Sequence, residues 1–257
     1  MKVHSHPARY KIIVAGRRFG KSVSGINELI RGALSKPGKY WFISPFRTQG
    51  KENIWNDILK PYIPSEAVFK ISESEIKISL KNGSEIRLCG ANNPDALRGS
   101  GLCGVVMDEF ADMDPKIWDL IIGPQLLENK GWAWFIGTPK GFNHFYEMLI
   151  RDKDFQDPMY RNSKGYAIET NVNYKGFRFR TIDNTAIEDL SEEIEQKRKE
   201  MSDEEFRQEY EASFENFTGR IYKEFEYSKH TGITPLLKEH WHYYVGIDTG
   251  NTSAVIF

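Results

Sequence analysis

Tyr10–Val14 is a short run of strand formers. It passes directly into Ala15-Gly16-Arg17-Arg18-Phe19-Gly20-Lys21-Ser22, and a stretch with helical apolar spacing begins near Lys21. A strand that breaks at small residues and re-enters as a helix is the context a phosphate-binding loop requires. The small residues let the backbone turn tightly, so that its N–H groups and the helix N-terminus face a polyphosphate. In that geometry Lys21 reaches the β- and γ-phosphates and the Ser22 hydroxyl holds Mg²⁺. The usual pattern is G-x-x-x-x-G-K-[ST]. Here Ala15 stands at the first glycine, a mild departure. A Gly-Lys-Ser turn capping an ordinary helix is the plainer alternative. The preceding strand and a matching acidic motif at Asp108-Glu109 decide against it.

After the loop, Val23, Ile26, Leu29, Ile30 and Ala33 fall on one helical face, and Pro37-Gly38 ends that helix. Tyr40–Ser44 is a second apolar strand. Thr48 to Tyr62 reads as a second helix with Ile54, Trp55, Ile58 and Leu59 on one side. Alternating strands and helices predict a wound, mostly parallel α/β sheet flanked by helices. Glu75–Leu80 and Glu85–Leu88 alternate polar and apolar residues around Asn82-Gly83, which predicts an antiparallel hairpin at the sheet edge or beside it.

Beyond the polar, glycine-rich loop Asn92–Gly101, the apolar run Gly104–Met107 ends in Asp108-Glu109. An Asp at a strand end supports the Mg²⁺ shell. The adjacent Glu takes a proton from, or orients, an attacking water. Asp114-Pro115 opens a helix to about Leu127. Trp132–Ile136 is another buried strand, ending in Gly137-Thr138-Pro139. Thr138 is a small hydroxyl at a strand end, which suits a γ-phosphate sensor or, since Gly, Thr and Pro all favour turns, a plain strand–turn boundary. Phe142–Ile150 reads as a helix, and Tyr166–Thr170 and Phe177–Thr181 as strands.

The net charge of −1 conceals an asymmetry. Residues 1–50 carry ten Lys/Arg against the single acid Glu28, whereas residues 183–226 carry fifteen acids against six bases. The basic front half suits phosphate-rich partners, although part of it belongs to the loop itself. Cys89 and Cys103 lack metal-like spacing, which predicts a reducing, cytosolic setting. No apolar stretch approaches the ~20 residues of a membrane span. From Ser191 the chain is charged and helical, with a Ser-x-x-Glu capping box at Ser202. Trp241–Ile247 then reads as a strand leading to Asp248, which has the character of the first carboxylate of a metal site.

The order of these motifs resembles that in the large terminase subunit of tailed bacteriophages and herpesvirus-type packaging systems. The matching pieces are Gly-Arg-Arg-Phe-Gly-Lys-Ser, Ser44-Pro45, Leu97-Arg98-Gly99, Val105–Phe110, Gly137-Thr138-Pro139, and Phe206–Tyr210 leading to Phe214. The resemblance implies a P-loop NTPase of the additional-strand, conserved-glutamate type with a small C-terminal helical lid. It implies an ATPase core over residues 1–182, a lid or linker over 183–240, and over 241–257 the first strands of an RNase H-like nuclease domain. The implied activity is ATP hydrolysis driving double-stranded DNA into a procapsid, with ATP and Mg²⁺ as cofactors. Lys21, Ser22 and Asp108 (Walker A and B) would serve phosphate and metal, with Ala15, Gly16, Arg17, Arg18, Phe19 and Gly20 completing the loop. Glu109 would be the catalytic glutamate, Thr138 the coupling residue and Arg17 the loop arginine. Arg98 falls where some members place an arginine finger acting on a neighbouring subunit. Asp248 resembles the first metal-binding Asp of the nuclease, whose partner acids are absent from this sequence, so no nuclease activity is expected. The implied partners are the portal protein, the small terminase subunit and further copies in a homo-oligomeric ring, a pentamer. The implied place is the host cytoplasm, docked on the procapsid portal. Members that read adenine with a glutamine have a longer leader. Here Arg9 or Tyr10 is the candidate to stack on the base. A helicase or other DNA or RNA translocase, and a nucleotide-dependent binding switch, are the competing readings.

Overall fold

The computed structural model describes residues 2–99, 101–187, 190–215, 246–249 and 253–256. The chain divides into two compact units, Met1–Gly219 and Arg220–Phe257.

The first unit is built on an eight-stranded sheet in the order β3-β4-β5-β2-β6-β7-β1-β8. The strands are β1 (Tyr10–Ala15), β2 (Lys39–Ser44), β3 (Val68–Ser72), β4 (Lys77–Leu80), β5 (Glu85–Gly90), β6 (Gly104–Asp108), β7 (Trp132–Gly137) and β8 (Tyr174–Phe179). From β5 to β8 every neighbouring pair is parallel. The hairpin around Asn82-Gly83 pairs β4 with β5 antiparallel, and β3 adds an outer antiparallel strand. Gly83 takes the left-handed φ of 89° that closes this turn. The hairpin therefore lies one strand in from the sheet edge, which β3 forms. β7 lies between β1, which feeds the phosphate loop, and β6, which carries the acids. This is the additional-strand arrangement.

The parallel strands are buried on both faces, and the apolar residues of β1 divide accordingly. Ile13 packs with Ile26 and Leu29 of α2 (Lys21–Ser35) and with Trp55 and Leu59 of α3 (47–62). Ile12 and Val14 pack on the other face with Ile117, Trp118 and Ile121 of α4 (115–125) and Phe145 of α5 (His144–Leu149). The short helix α1 (Lys2–Ser5) joins the α2 face through Val3. There His4 Nδ1 and Glu28 Oε2 are 2.7 Å apart, and Lys11 Nζ donates to the Val3 carbonyl at 2.7 Å.

Four elements differ from the sequence reading. α3 is π-helical over Lys51–Leu59, and α4 is π-helical over Ile117–Ile122. Tyr166–Thr170 is not a strand: the Asn162 side chain accepts from the Tyr166 N–H at 3.0 Å and holds a local turn instead. The final strand of this sheet runs Tyr174–Phe179, which leaves Thr181 beyond its end. Two helices come next, α6 (Leu190–Glu200) and α7 (Asp203–Glu211). Ser202 caps α7 reciprocally with Glu205, as the capping box requires.

In the second unit, β9 (Gly246–Thr249) pairs antiparallel with β10 (Ser253–Ile256), placing Asp248 opposite Ala254. Residues 241–245 of the expected strand, and the side chain of Asp248, lie outside the described residues.

Candidate active site

The loop after β1 bends through two left-handed residues, Arg18 (φ 60°) and Gly20 (φ 92°), and α2 begins at Lys21. The Lys21 ammonium is buried. It donates to the carbonyls of Ala15 at 2.9 Å and Gly16 at 3.1 Å, and to Thr138 Oγ1 at 3.1 Å. These three acceptors use all three of its protons. Burial lowers its pKa, and the charges of Glu109 and Asp108 oppose that shift.

Ser22 Oγ donates to Asp108 Oδ2 at 2.9 Å, so the first helical turn and the end of β6 meet. Burial, with the charge of Glu109 added, pushes the Asp108 carboxyl up to about 7, against the Ser22 hydrogen bond and the Lys21 charge. Glu109 adopts φ 49° and ψ 48°, a left-handed conformation that non-glycine residues seldom hold. Its Oε2 accepts from the Thr138 N–H at 3.4 Å.

Arg17, Arg18, Phe19, Gly20, Lys21, Ser22, Glu109 and Thr138 line one cleft of about 1040 Å³ at the C-terminal edge of the sheet. Asp108 is buried beneath Ser22. The sequence-predicted residues of the loop, the acid pair and the β7 end thus converge.

Three predicted residues lie elsewhere. Arg98 is outside the lining of this cleft. It is exposed and paired with Asp95 at 3.3 Å. Arg9, proposed with Tyr10 to stack on a base, donates to the carbonyls of Gly131 and Leu126, and Tyr10 packs edge-on to Trp118. Both stand where β1 begins, on the order of 17 Å along the strand from the loop. Neither reaches the cleft.

The structure adds residues that sequence reasoning missed. Arg17 forms an ion pair with Glu209 of α7, and its N–H donates to the Glu209 carbonyl at 2.8 Å. The pair raises the Arg17 pKa, chiefly through the hydrogen bond. Thr181 Oγ1 donates to the Arg17 carbonyl at 2.8 Å, and Asn184 Nδ2 to the Arg18 carbonyl at 2.8 Å. Phe19 stacks on Phe179, centroids 4.6 Å apart. A Cβ on Gly16 would come within 2.3 Å of Thr181 Oγ1 and 2.7 Å of the Tyr210 carbonyl, so only glycine fits there. The phosphate loop is thus held from behind by residues 179–184 and by α7. The only local signal was a hydroxyl residue just past a strand end, a pattern Thr181 shares with Thr138.

The family described as "Terminase large subunit, T4likevirus-type, N-terminal" matches residues 12–229. The chain belongs to this family. The large terminase subunit of Thermus phage G20c is 26% identical over 243 residues, which cover 86% of this chain and 49% of that protein. The large terminase subunit of Escherichia phage T5 is 30% identical over 182 residues, 68% of this chain and 38% of that protein. The chain therefore spans about half the length, or less, of these curated relatives. Among solved structures, the Thermus phage P74-26 large terminase ATPase domain superposes with a TM-score of 0.69 at 26% identity, covering 83% of this chain and 91% of that one. The eight-stranded unit is thus a large-terminase ATPase-domain fold, and its cleft lies where the terminase motifs of the sequence converge.

Proposed function

We propose that this chain is the ATP-hydrolysing part of a viral DNA-packaging motor. The observation that carries the reading is the convergence of Lys21, Ser22, Asp108, Glu109 and Thr138, from three separate strand ends, on one cleft.

ATP is the substrate. The loop N–H groups and Lys21 hold its phosphates, with Lys21 exchanging its present acceptors for phosphate oxygens. Ser22 and Asp108 offer two adjacent hard oxygen donors, a set that fits Mg²⁺. Held by Ser22 and Asp108, the ion would supply neutralisation of the charge on the ATP phosphates. Glu109 orients a water and accepts its proton as the water oxygen bonds to the γ-phosphorus and the bond to the bridging oxygen of ADP breaks. Thr138 links Lys21 to the end of β7 and senses the terminal phosphate. Arg17, released from Glu209 or held by it, sets the charge at the mouth of the loop. Arg98, outside this cleft, suits action on a neighbouring copy in a homo-oligomeric, pentameric ring.

The remaining partners in this proposal are double-stranded DNA, the portal protein and the small terminase subunit, met in the host cytoplasm at the procapsid portal. DNA contacts would go mainly to phosphates, with strong salt dependence and no sequence preference. The test is ATP hydrolysis with and without double-stranded DNA at rising protein concentration. DNA-stimulated, concentration-dependent turnover is expected. ATP binding without turnover in every assembly state would instead identify a binding switch, and strand separation a helicase.

A further inference from the structure

Glu109 holds an uncommon backbone conformation, and four contacts run from one neighbouring segment onto its turn. The Thr138 N–H donates to Glu109 Oε2 at 3.4 Å. Lys140 Nζ contacts both carboxylate oxygens of Asp112 at 2.6 Å. Asn143 Nδ2 donates to the Ala111 carbonyl at 3.4 Å. His144 Nε2 lies 2.9 Å from the Phe110 carbonyl, which can only accept, so Nε2 carries a proton. Residues 109, 110, 111 and 112 are each held by residues 138, 144, 143 and 140. The Phe110 ring is fully buried against Phe135, Phe145 and the His144 ring. Gly137 approaches from below: its Cβ position lies 3.4 Å from the Glu109 Cα. A left-handed non-glycine residue persists only where its surroundings over-determine it, and such residues cluster at functional sites.

We infer that residues 138–144 form a clamp that sets the carboxylate of Glu109, with Lys140, Asn143 and His144 as positioning residues. The clamp acts on the turn that comes after Glu109 and does not touch substrate through Asn143 or His144. The inference rests on Glu109 being the hydrolytic glutamate. A displacement of about 1 Å at a catalytic group costs on the order of a hundredfold in rate. Loss of a clamp contact therefore lowers kcat and leaves nucleotide binding intact.

The experiment is steady-state ATP hydrolysis by the whole chain, with double-stranded DNA present, for wild type and variants at temperatures where each is folded. His144→Phe is expected to lower kcat about ten- to a hundredfold while the Kd for a non-hydrolysable ATP analogue changes by no more than about twofold. His144→Gln, whose amide offers a donor at similar reach, restores most of the rate. Asn143→Asp keeps the oxygen that caps the Phe145 N–H but removes the donor to Ala111, and it lowers kcat in the same way. It serves if His144→Phe fails to fold. In a Glu109→Gln background, His144→Phe adds no further loss, because the clamp acts through that carboxylate. Additive losses, a raised KM at unchanged kcat, or no rescue by His144→Gln would overturn the clamp. A wild type that binds the analogue but never turns over would overturn the ATPase reading itself and the clamp with it.

Discussion

Ser22 Oγ and Asp108 Oδ2 are 2.9 Å apart across 86 positions of sequence, and the hydroxyl donates to a carboxylate that burial holds toward its neutral form. Burial and the Glu109 charge raise the folded-state pKa of Asp108 to about 7 from 3.8. Ionised Asp108 therefore works against folding as pH rises from the unfolded value through the folded one. Asp108→Asn should raise the Tm of the nucleotide-free protein at pH 8 by about 2 °C or more, and should lower ATP turnover by about a hundredfold or more. EDTA should abolish turnover in wild type. Calorimetry and a phosphate-release assay on the same preparation check both signs. A lower Tm at pH 8 would count against a strained, function-serving acid.

Gly16 touches the residues behind the loop more closely than any side chain allows. Gly16→Ala should force the loop away from Thr181 and Tyr210, costing about 1–3 kcal/mol of stability. Gly20→Ala meets open space but must hold φ 92°, so its cost should be near 1–2 kcal/mol. Urea unfolding of the two variants separates crowding from backbone strain. Equal stability of Gly16→Ala and wild type would show that the loop is not seated on α7.

Arg98 offers a contrast between stability and activity. Its side chain is 60% exposed, and among the described residues its only ion pair is with Asp95, which is 93% exposed. Arg98→Ala should leave stability within about 0.5 kcal/mol of wild type. If it serves a neighbouring copy, hydrolysis in the assembled state should fall by about 10³-fold or more, while dilute protein is little affected. Mixing Arg98→Ala with Glu109→Gln protein should recover part of the activity. Equal losses at every concentration would place Arg98 in its own subunit's reaction.

Glu28 should set an acid limb of stability. Burial raises its pKa, but hydrogen bonds from His4 and Arg31 outweigh burial and bring it below the ordinary 4.5. With the folded pKa depressed, its contribution is present above 4.5 and is lost as pH falls through the folded value. Tm measured from pH 7 to pH 3 should therefore fall less steeply below 4.5 in Glu28→Gln than in wild type. Parallel acid limbs in the two proteins would exclude this carboxylate as the cause.

The features readable in the sequence were those carried by short-range pattern. Tyr10–Ser22 shows strand, turn and helix in consecutive residues, and Val105–Glu109 shows a buried strand ending in acids. Asn82-Gly83 marks its own hairpin. The residues that seat the phosphate loop are different. Thr181, Asn184 and Glu209 lie more than 160 residues from Arg17 and Arg18 and meet them through one or two polar contacts each, which leave no periodicity. The π-helical register of α3 was equally hidden, since Ile54, Trp55 and Leu59 satisfy an α-helical stripe as well as the observed one. Tyr166–Thr170 has strand-like composition, but the Asn162 side chain takes its first N–H, and among the described residues no strand pairs with it.

The place of β1 in the sheet has a consequence for synthesis. β1 is the first strand of the sheet to be made, yet its two neighbours, β7 and β8, begin at Trp132 and Tyr174. At ribosomal speeds of about 5–20 residues per second, its β7 edge goes without its native partner for roughly 6–25 seconds and its β8 edge for roughly 8–33 seconds. During that interval Ile12, Ile13 and Val14 are an unpaired apolar strand on a nascent chain. Release of soluble protein should thus depend on chaperone capacity more than the stability of the finished domain would suggest, and slowed translation between β1 and β7 should lower the soluble yield.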